Sequence, residues 1–119
     1  MSDPILILGL FGGINMTHYL LRYYGGVHPE TPEESEQVMQ AWGAWFVSMG
    51  EAVVDGGNPV GKSSTINPDG SVVNDGGPNP TGGYSVIQAE SLDAALELAK
   101  GCPILQHKGS IEIANIIEM

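Results

Sequence analysis

Two parts of this sequence carry side chains that could do chemistry, one a predicted strand and the other a glycine-rich loop. His18 and Arg22 fall in THYLLRYY, residues 17–24, and Asp75 falls in the segment NDGGPNP. A histidine can carry a proton near neutral pH, and a nearby carboxylate can orient its ring. An arginine can hold a carboxylate through two parallel hydrogen bonds. Together these residue types are typical of a site for a small organic acid.

Each of these residues also has a structural interpretation, which we favour. His18 would be a hydrogen-bonded histidine at an interface, and Asp75 would accept hydrogen bonds from amides of its own turn. Arg22 would pair with Glu112, because the first and last strands are neighbours in the fold predicted below. In the enzyme alternative, His18 is the general base, Asp75 orients it and Arg22 holds the anion.

The other two histidines indicate no metal site. His28 precedes Pro29 in a loop, and His107 lies beside Lys108 after the second predicted helix, so both are predicted to be exposed. The histidines and the single cysteine lack the close spacing that zinc sites use. We therefore predict no metal and no cofactor.

A phosphate-binding motif appears in DGGNPVGKSST, residues 55–65, which matches the pattern G-x-x-x-x-G-K-[ST] letter for letter. A working P-loop follows a strand and opens a helix, whose first amides hold the phosphates. After Ser63 come β-branched residues and a turn, and Pro68 prevents a helix. Because the chain contains 17 glycines, we interpret the match as accidental and Lys62 as an exposed strand cation.

Two amphipathic helices are predicted. The first has Thr31 as its N-cap, Pro32 in its first turn and Gly50 at its end. Its apolar stripe comprises Val38, Trp42, Trp45, Phe46 and Met49. The second follows the N-cap Ser91 and ends at Gly101. Its predicted inner face comprises Leu92, Ala95, Leu96 and Ala99.

Strands are predicted around these helices, giving the order β-α-β-β-α-β. They fall in THYLLRYY, EAVVDGGNP, YSVIQAE and SIEIANIIEM, with an additional hairpin in KSSTINPDGSVVND. This order is the ferredoxin-like α+β pattern, with both helices on one face of an antiparallel sheet. The opposite face would carry Leu20, Tyr24, Ala114 and Ile116, which are too apolar to face water. Two copies packed sheet to sheet would bury them as a dimeric α/β barrel around a cavity, for which Arg22, Tyr24 and Asp75 are the candidate ligand-binding residues.

Charge and cysteine content limit the partners. The chain has 119 residues, 14 acidic and 4 basic, for a net charge of -10. Nucleic acids and anionic membrane surfaces need clustered cations, so neither is an expected partner. The single cysteine, Cys102, allows no disulfide within the chain and favours a reducing, cytoplasmic location.

The first 15 residues differ in character from the rest. MSDPILILGLFGGIN is apolar but carries Asp3 where a signal peptide has positive charge, and glycines interrupt its apolar run. We predict an appended segment at 1–15, which would form an extra edge strand or cover a neighbouring subunit, and a single domain at 16–119.

The residues from 16 onward resemble the YCII-related, or DGPF-type, family of dimeric α/β barrels. The resemblance is carried by HYLLRYYGG, the Trp42 and Trp45 helix, GGYSVIQAESLDAALELAKGCP and GSIEIANIIEM. It implies a homodimer with a pocket near an Asp-Gly-Pro signature, where Asp75 takes the aspartate position. Here Gly77 interrupts that signature, and the acidic-threonine-lysine-acidic tail that usually follows it is absent.

Some relatives in this family look like lyases or dehydrochlorinases that use a His-Asp pair, with the histidine near the first helix. Residues 32–49 of this chain contain no histidine. We therefore predict a homodimeric small-molecule-binding or accessory protein, able to form a higher oligomer. The alternative is a cofactor-free lyase or isomerase that acts on a small organic or aromatic acid through His18 and Asp75.

Overall fold

The computed structural model describes residues 16–75 and 80–119. Within these ranges the chain forms six strands and two α-helices, with short 3-10 turns at Gly50–Ala52 and Pro103–His107. The elements are β1 (Thr17–Gly25), α1 (Pro32–Met49), β2 (Val53–Pro59), β3 (Thr65–Ile66), β4 (Val72–Val73), β5 (Gly83–Ala89), α2 (Leu92–Ala99) and β6 (Gly109–Asn115).

Four of the strands form one antiparallel sheet in the order β2-β5-β1-β6. Tyr19, Leu21 and Tyr23 of β1 pack in a single core with side chains of both helices, so α1 and α2 cover the same face. The predicted ferredoxin-like α+β fold is therefore confirmed. The predicted hairpin is also present, as β3 and β4 joined by a turn at Asn67–Gly70, and it forms a separate two-stranded sheet.

Helix α1 begins and ends at the predicted residues. The Thr31 hydroxyl accepts a hydrogen bond from the Glu34 amide at 3.1 Å, and Glu34 in turn accepts from the Glu30 amide at 2.8 Å. Gly50 ends the helix with a φ of 55°, and its amide donates to carbonyls of the last turn. Trp45 is buried on the sheet side of the helix, as the apolar stripe predicts.

The packed face of α2 differs from the prediction. Ala95 is buried, but Leu92 and Leu96 are 50% and 39% exposed, and Leu98 packs against the core instead. The Trp45 indole N–H donates to the Leu98 carbonyl at 2.9 Å, which holds that side of the two-turn helix against α1. Leu92 and Leu96 therefore lie on the flank of α2, beside its packed face.

The helix-facing side of the sheet contains a buried polar chain among aromatic rings. The Tyr23 hydroxyl donates to Ser85 Oγ at 2.7 Å, and Ser85 donates to the Gly56 carbonyl at 2.7 Å. The Tyr23 ring meets Trp42 edge to face at 4.9 Å between centroids. Ser85 is fully buried, so this chain satisfies polar groups that would otherwise be costly to bury.

The segment that matched the phosphate-binding motif begins in the irregular edge strand β2 and continues through the connection at 60–64. Lys62 is exposed as predicted, but it lies in that connection and not in a strand. The pairing of β2 with β5 shifts register between Val53 and Asn58. Gly57 has a φ of 71°, and a Cβ there would overlap the Tyr84 carbonyl, so this position requires glycine. After Ser63 the chain enters β3 and not a helix, as predicted, so the motif lacks the helix N-terminus that a P-loop uses to hold phosphates.

Candidate functional site

The candidate site lies on the face of the sheet that the helices do not cover, here called the open face. Alternation places His18, Leu20, Arg22 and Tyr24 of β1 on it. The strand register adds Tyr84, Val86 and Gln88 from β5, and Ser110, Glu112 and Ala114 from β6. Leu20 and Val86 are half-buried in the single chain, whereas Ala114 and Ile116 are exposed. The open face thus carries an apolar centre with polar side chains around it.

Three side chains at one end of the open face form a polar group, here called the Arg22 cluster. Arg22 lies directly opposite Glu112 in the β1–β6 register, and their Nη1 and Oε1 atoms are 3.7 Å apart. The predicted pairing of Arg22 with Glu112 is therefore confirmed. The Tyr24 hydroxyl donates to the same Glu112 oxygen at 3.2 Å, and the guanidinium carbon lies 5.4 Å from the centre of the Tyr24 ring.

The surroundings of Tyr24 keep its phenol protonated. Burial raises the pKa of Tyr24, the positive charge of Arg22 lowers it, and the charge and hydrogen bond of Glu112 raise it again. The net shift is upward. At neutral pH Tyr24 is therefore a neutral hydrogen-bond donor beside a permanent cation.

The ion pair in the cluster leaves the guanidinium able to bind a further anion. The side chains of Arg22 and Glu112 are 43% and 62% exposed, and exposed pairs of this kind are weakly held. A guanidinium has five N–H donors in a planar fork that fits a carboxylate. The chemistry that this arrangement supports is the binding of a small acid at the edge of an apolar surface.

The two predicted catalytic residues lie at different places in the fold. His18 is exposed on the open face, opposite Gln88 and about 13 Å along β1 from Arg22 at the usual strand rise. Asp75 is exposed in the turn after β4, and the chain re-enters the sheet at Gly83, opposite Tyr23. That is the end of β1 farther from His18. The pairing of His18 with Asp75 stays a prediction, and the predictions for Gly77 and for residues 1–15 lie outside the described residues.

Two contributions to the open face were missed from the sequence. The sequence pairs Glu112 with Arg22 and does not predict its hydrogen bond with Tyr24. The β5 side chains Tyr84, Val86 and Gln88 were also missed, and the alternation in YSVIQAE next to β1 would have predicted them.

A concavity lies at the start of α1, and none of its lining residues is on the open face. It encloses about 420 Å³ and is lined by Val27, His28, Pro29, Glu30, Glu34, Gln37, Val38 and His107. His28 is exposed as predicted, but His107 is half-buried because the Val27 amide donates to its carbonyl at 2.8 Å and holds the loop against it. In the described parts of the chain, no three His, Cys, Asp or Glu side chains are grouped to hold a metal ion.

The strand order and the single helical layer define a ferredoxin-like α+β domain, here with a polar cluster on its open face. The family model of the YCII-related domain matches residues 16–119, and the chain belongs to that family. No curated protein matches the chain at a significant level. Among the described residues, no helix has the length and apolar character needed to span a bilayer.

Proposed function

We propose that this protein is a homodimeric small-molecule-binding protein whose open face holds a small organic acid. The observation that carries the proposal is the Arg22 cluster, a half-exposed guanidinium next to half-buried apolar side chains on the open face. A cation beside an apolar surface matches a ligand with a carboxylate and an apolar body. The ring of Tyr24 packs against the guanidinium in a cation–π contact.

The dimer is supported by the composition of the open face. Leu20, Val86, Ala114 and Ile116 form an apolar group at the surface of the single chain, and such groups mark interaction sites. A second copy would present the same residues, as a two-fold interface requires. Two open faces would then enclose two Arg22 clusters in one cavity.

The cellular setting follows from charge and thiol chemistry. The net charge of -10 disfavours nucleic acids and anionic membranes as partners. The free, fully buried Cys102 fits a reducing compartment, so we place the protein in the cytoplasm.

Thermal unfolding with matched acids and amides tests the ligand class. Benzoate and acetate should raise the Tm of the wild-type protein, whereas benzamide and acetamide should not, because the amides carry no charge for Arg22. A ligand at a hundred times its Kd stabilises the folded state by about 2.7 kcal/mol. Arg22→Gln should remove the shift, since a charge-assisted hydrogen bond contributes roughly 1.5–3 kcal/mol.

Lys100→Gln is the matched control, because Lys100 is an exposed cation paired with Glu97 on another part of the surface. It should keep the response to acids. Equal shifts with acids and amides, or an unchanged response in Arg22→Gln, would contradict the proposed ligand class.

The lyase or isomerase alternative keeps one supporting observation, which is that His18 shares the open face with Arg22. Such an enzyme would exchange the C–H proton next to the carboxylate of a bound acid with solvent. Because His18 and Arg22 of one chain are about 13 Å apart along β1, the two residues that act on one acid would come from different copies of the dimer. Incubation of phenylacetate with the protein in deuterium oxide, followed by proton NMR, tests this. Exchange that disappears in His18→Ala would favour the enzyme, and no exchange above the buffer rate would count against it.

A further inference from the structure

The β3–β4 hairpin stands apart from the sheet to which it is connected. It leaves the edge strand β2 at Pro59, opposite Gly83, and its two strands pair with each other and not with the four-stranded sheet. Thr65 lies opposite Val73, and Ile66 lies opposite Val72. Because directly opposed residues share a face, one face of the hairpin carries Ile66 and Val72 together.

The hairpin is held in shape by its own hydrogen bonds. The Asn67 amide donates to the Ser71 carbonyl at 2.8 Å, and Asp69 accepts from both the amide and the hydroxyl of Ser71 at 2.8 and 2.6 Å. At the base, Ser64 donates to Asn74 at 2.8 Å. An ordered turn and a closed base fix the direction of the two short strands, which lowers the entropy lost on docking.

The pre-ordered hairpin presents apolar side chains to solvent. Ile66 is 75% exposed and Val72 is 56% exposed. A two-stranded hairpin is at best marginally stable alone in water, and β-branched residues gain from packing against a surface. The Ile66–Val72 face is therefore suited to an apolar surface outside the single chain.

The area of the open face favours a second copy of this chain as the surface against which the hairpin packs. Four strands about 4.8 Å apart and seven residues long cover about 450 Å² in plan. A stable dimer usually buries about 800 Å² on each partner. Side-chain relief makes the accessible area of the open face larger than its plan area, but a plan area of about 450 Å² leaves little margin for a stable dimer. The hairpin is joined to the edge strand of this face and has exposed apolar residues that would add to the interface.

We propose that the β3–β4 hairpin is an arm that reaches a second copy of this chain and packs its Ile66–Val72 face against it. The proposal rests on the proposed dimer. The arm is long enough, since the nine residue-to-residue steps from Pro59 to Pro68 span up to about 30 Å and two packed sheets are about 10 Å apart. The arm departs from the end of the sheet that carries the Arg22 cluster, because Gly83 lies opposite Tyr23.

Sedimentation equilibrium of the full chain tests the arm. The double variant Ile66→Asp/Val72→Asp should raise the dimer dissociation constant at least 10-fold. Val47→Asp, on the outer side of α1 and 81% exposed, is the matched control and should leave the constant unchanged. Thermal unfolding of each variant checks folding, which should be preserved because the hairpin pairs with no strand of the main sheet.

The outcomes separate the arm from the dimer. A wild-type dimer whose dissociation constant is unchanged in the double variant overturns the arm and leaves the sheet-to-sheet dimer standing. A wild-type protein that is monomeric up to high micromolar concentration overturns the dimer, and the arm with it. Equal weakening by Val47→Asp would also overturn the arm, since added charge alone would then explain the effect.

Discussion

Two adjacent tyrosines show how differently the two sides of this sheet are built. Tyr23 points toward the helices, where its hydroxyl donates to the fully buried Ser85 at 2.7 Å. Tyr24 points to the open face, where its hydroxyl donates to the exposed Glu112 at 3.2 Å. The same side chain is thus fixed in a closed aromatic core on one side and supports an accessible cation on the other.

The two sides of the sheet are expected to contribute to different properties, the helix side to folding stability and the open face to ligand binding. On the helix side, the Tyr23 and Ser85 hydroxyls are buried and have partners within the chain, so their loss should affect folding. In the Arg22 cluster, Arg22 and Glu112 are partly solvated and weakly paired, and the buried Tyr24 donates to that exposed carboxylate. Loss of these interactions should cost little stability and should change ligand affinity. Each of the following variants tests one side of this comparison.

The largest effect is expected from the aromatic core. Trp45→Ala should lower the free energy of unfolding by about 3–5 kcal/mol, as is typical when a large buried side chain is removed. It also leaves the Leu98 carbonyl without its indole donor. Met39→Ala, at a position that is 73% exposed on the same helix, should change the free energy by less than about 0.5 kcal/mol. Urea denaturation measures both, and similar losses would show that α1 does not pack as described.

The buried polar chain should give the next effect. Ser85→Ala should cost about 1–3 kcal/mol, because the buried Tyr23 hydroxyl loses its acceptor and the Gly56 carbonyl loses its donor. Ser110→Ala, an exposed serine on β6, is the matched control and should be close to neutral. Urea denaturation measures both free energies of unfolding. If Ser85→Ala changed this free energy as little as the control does, water would have replaced the lost partners, and the helix side of the sheet would be less buried than described.

Alkaline pH should weaken the closed side through two buried acids. Burial raises the pKa of the Cys102 thiol from 9.0 to about 11, and it raises that of Tyr23 from 10.0 to about 12. Both groups stay protonated longer in the folded chain than in the unfolded one, so stability declines as pH rises from about 9 to about 12. Urea denaturation across this range should show the decline. In Cys102→Ala the onset should move toward pH 10, and an unchanged onset would contradict the burial of the thiol.

The smallest effect on stability is expected from the open side. Tyr24→Phe and Glu112→Gln should each change the free energy of unfolding by less than about 1 kcal/mol, because the interactions they remove are partly solvated. Both should alter the response of the Tm to benzoate. A large loss of stability in Tyr24→Phe would remove the distinction between the two tyrosines.

The sequence predicts those features that depend on local patterns. Thr31 and Gly50 mark the ends of α1 through capping, and strand order brings Arg22 next to Glu112. Contacts that depend on tertiary packing are harder to predict from the sequence. Leu92 and Leu96 lie on the flank of α2 because Leu98 contacts Trp45, and helical periodicity alone does not predict that contact. The Tyr23–Ser85–Gly56 chain joins three strands, so no spacing in the sequence predicts it.

The open face, and not the helical layer, is the proposed functional surface. Sedimentation equilibrium of two arginine variants at exposed alanines tests it most directly, with Ala114 on the open face and Ala44 on α1. We expect Ala114→Arg to be monomeric at concentrations where the wild-type protein and Ala44→Arg are dimeric. A dimer that survives Ala114→Arg, or one that Ala44→Arg disrupts, would contradict it.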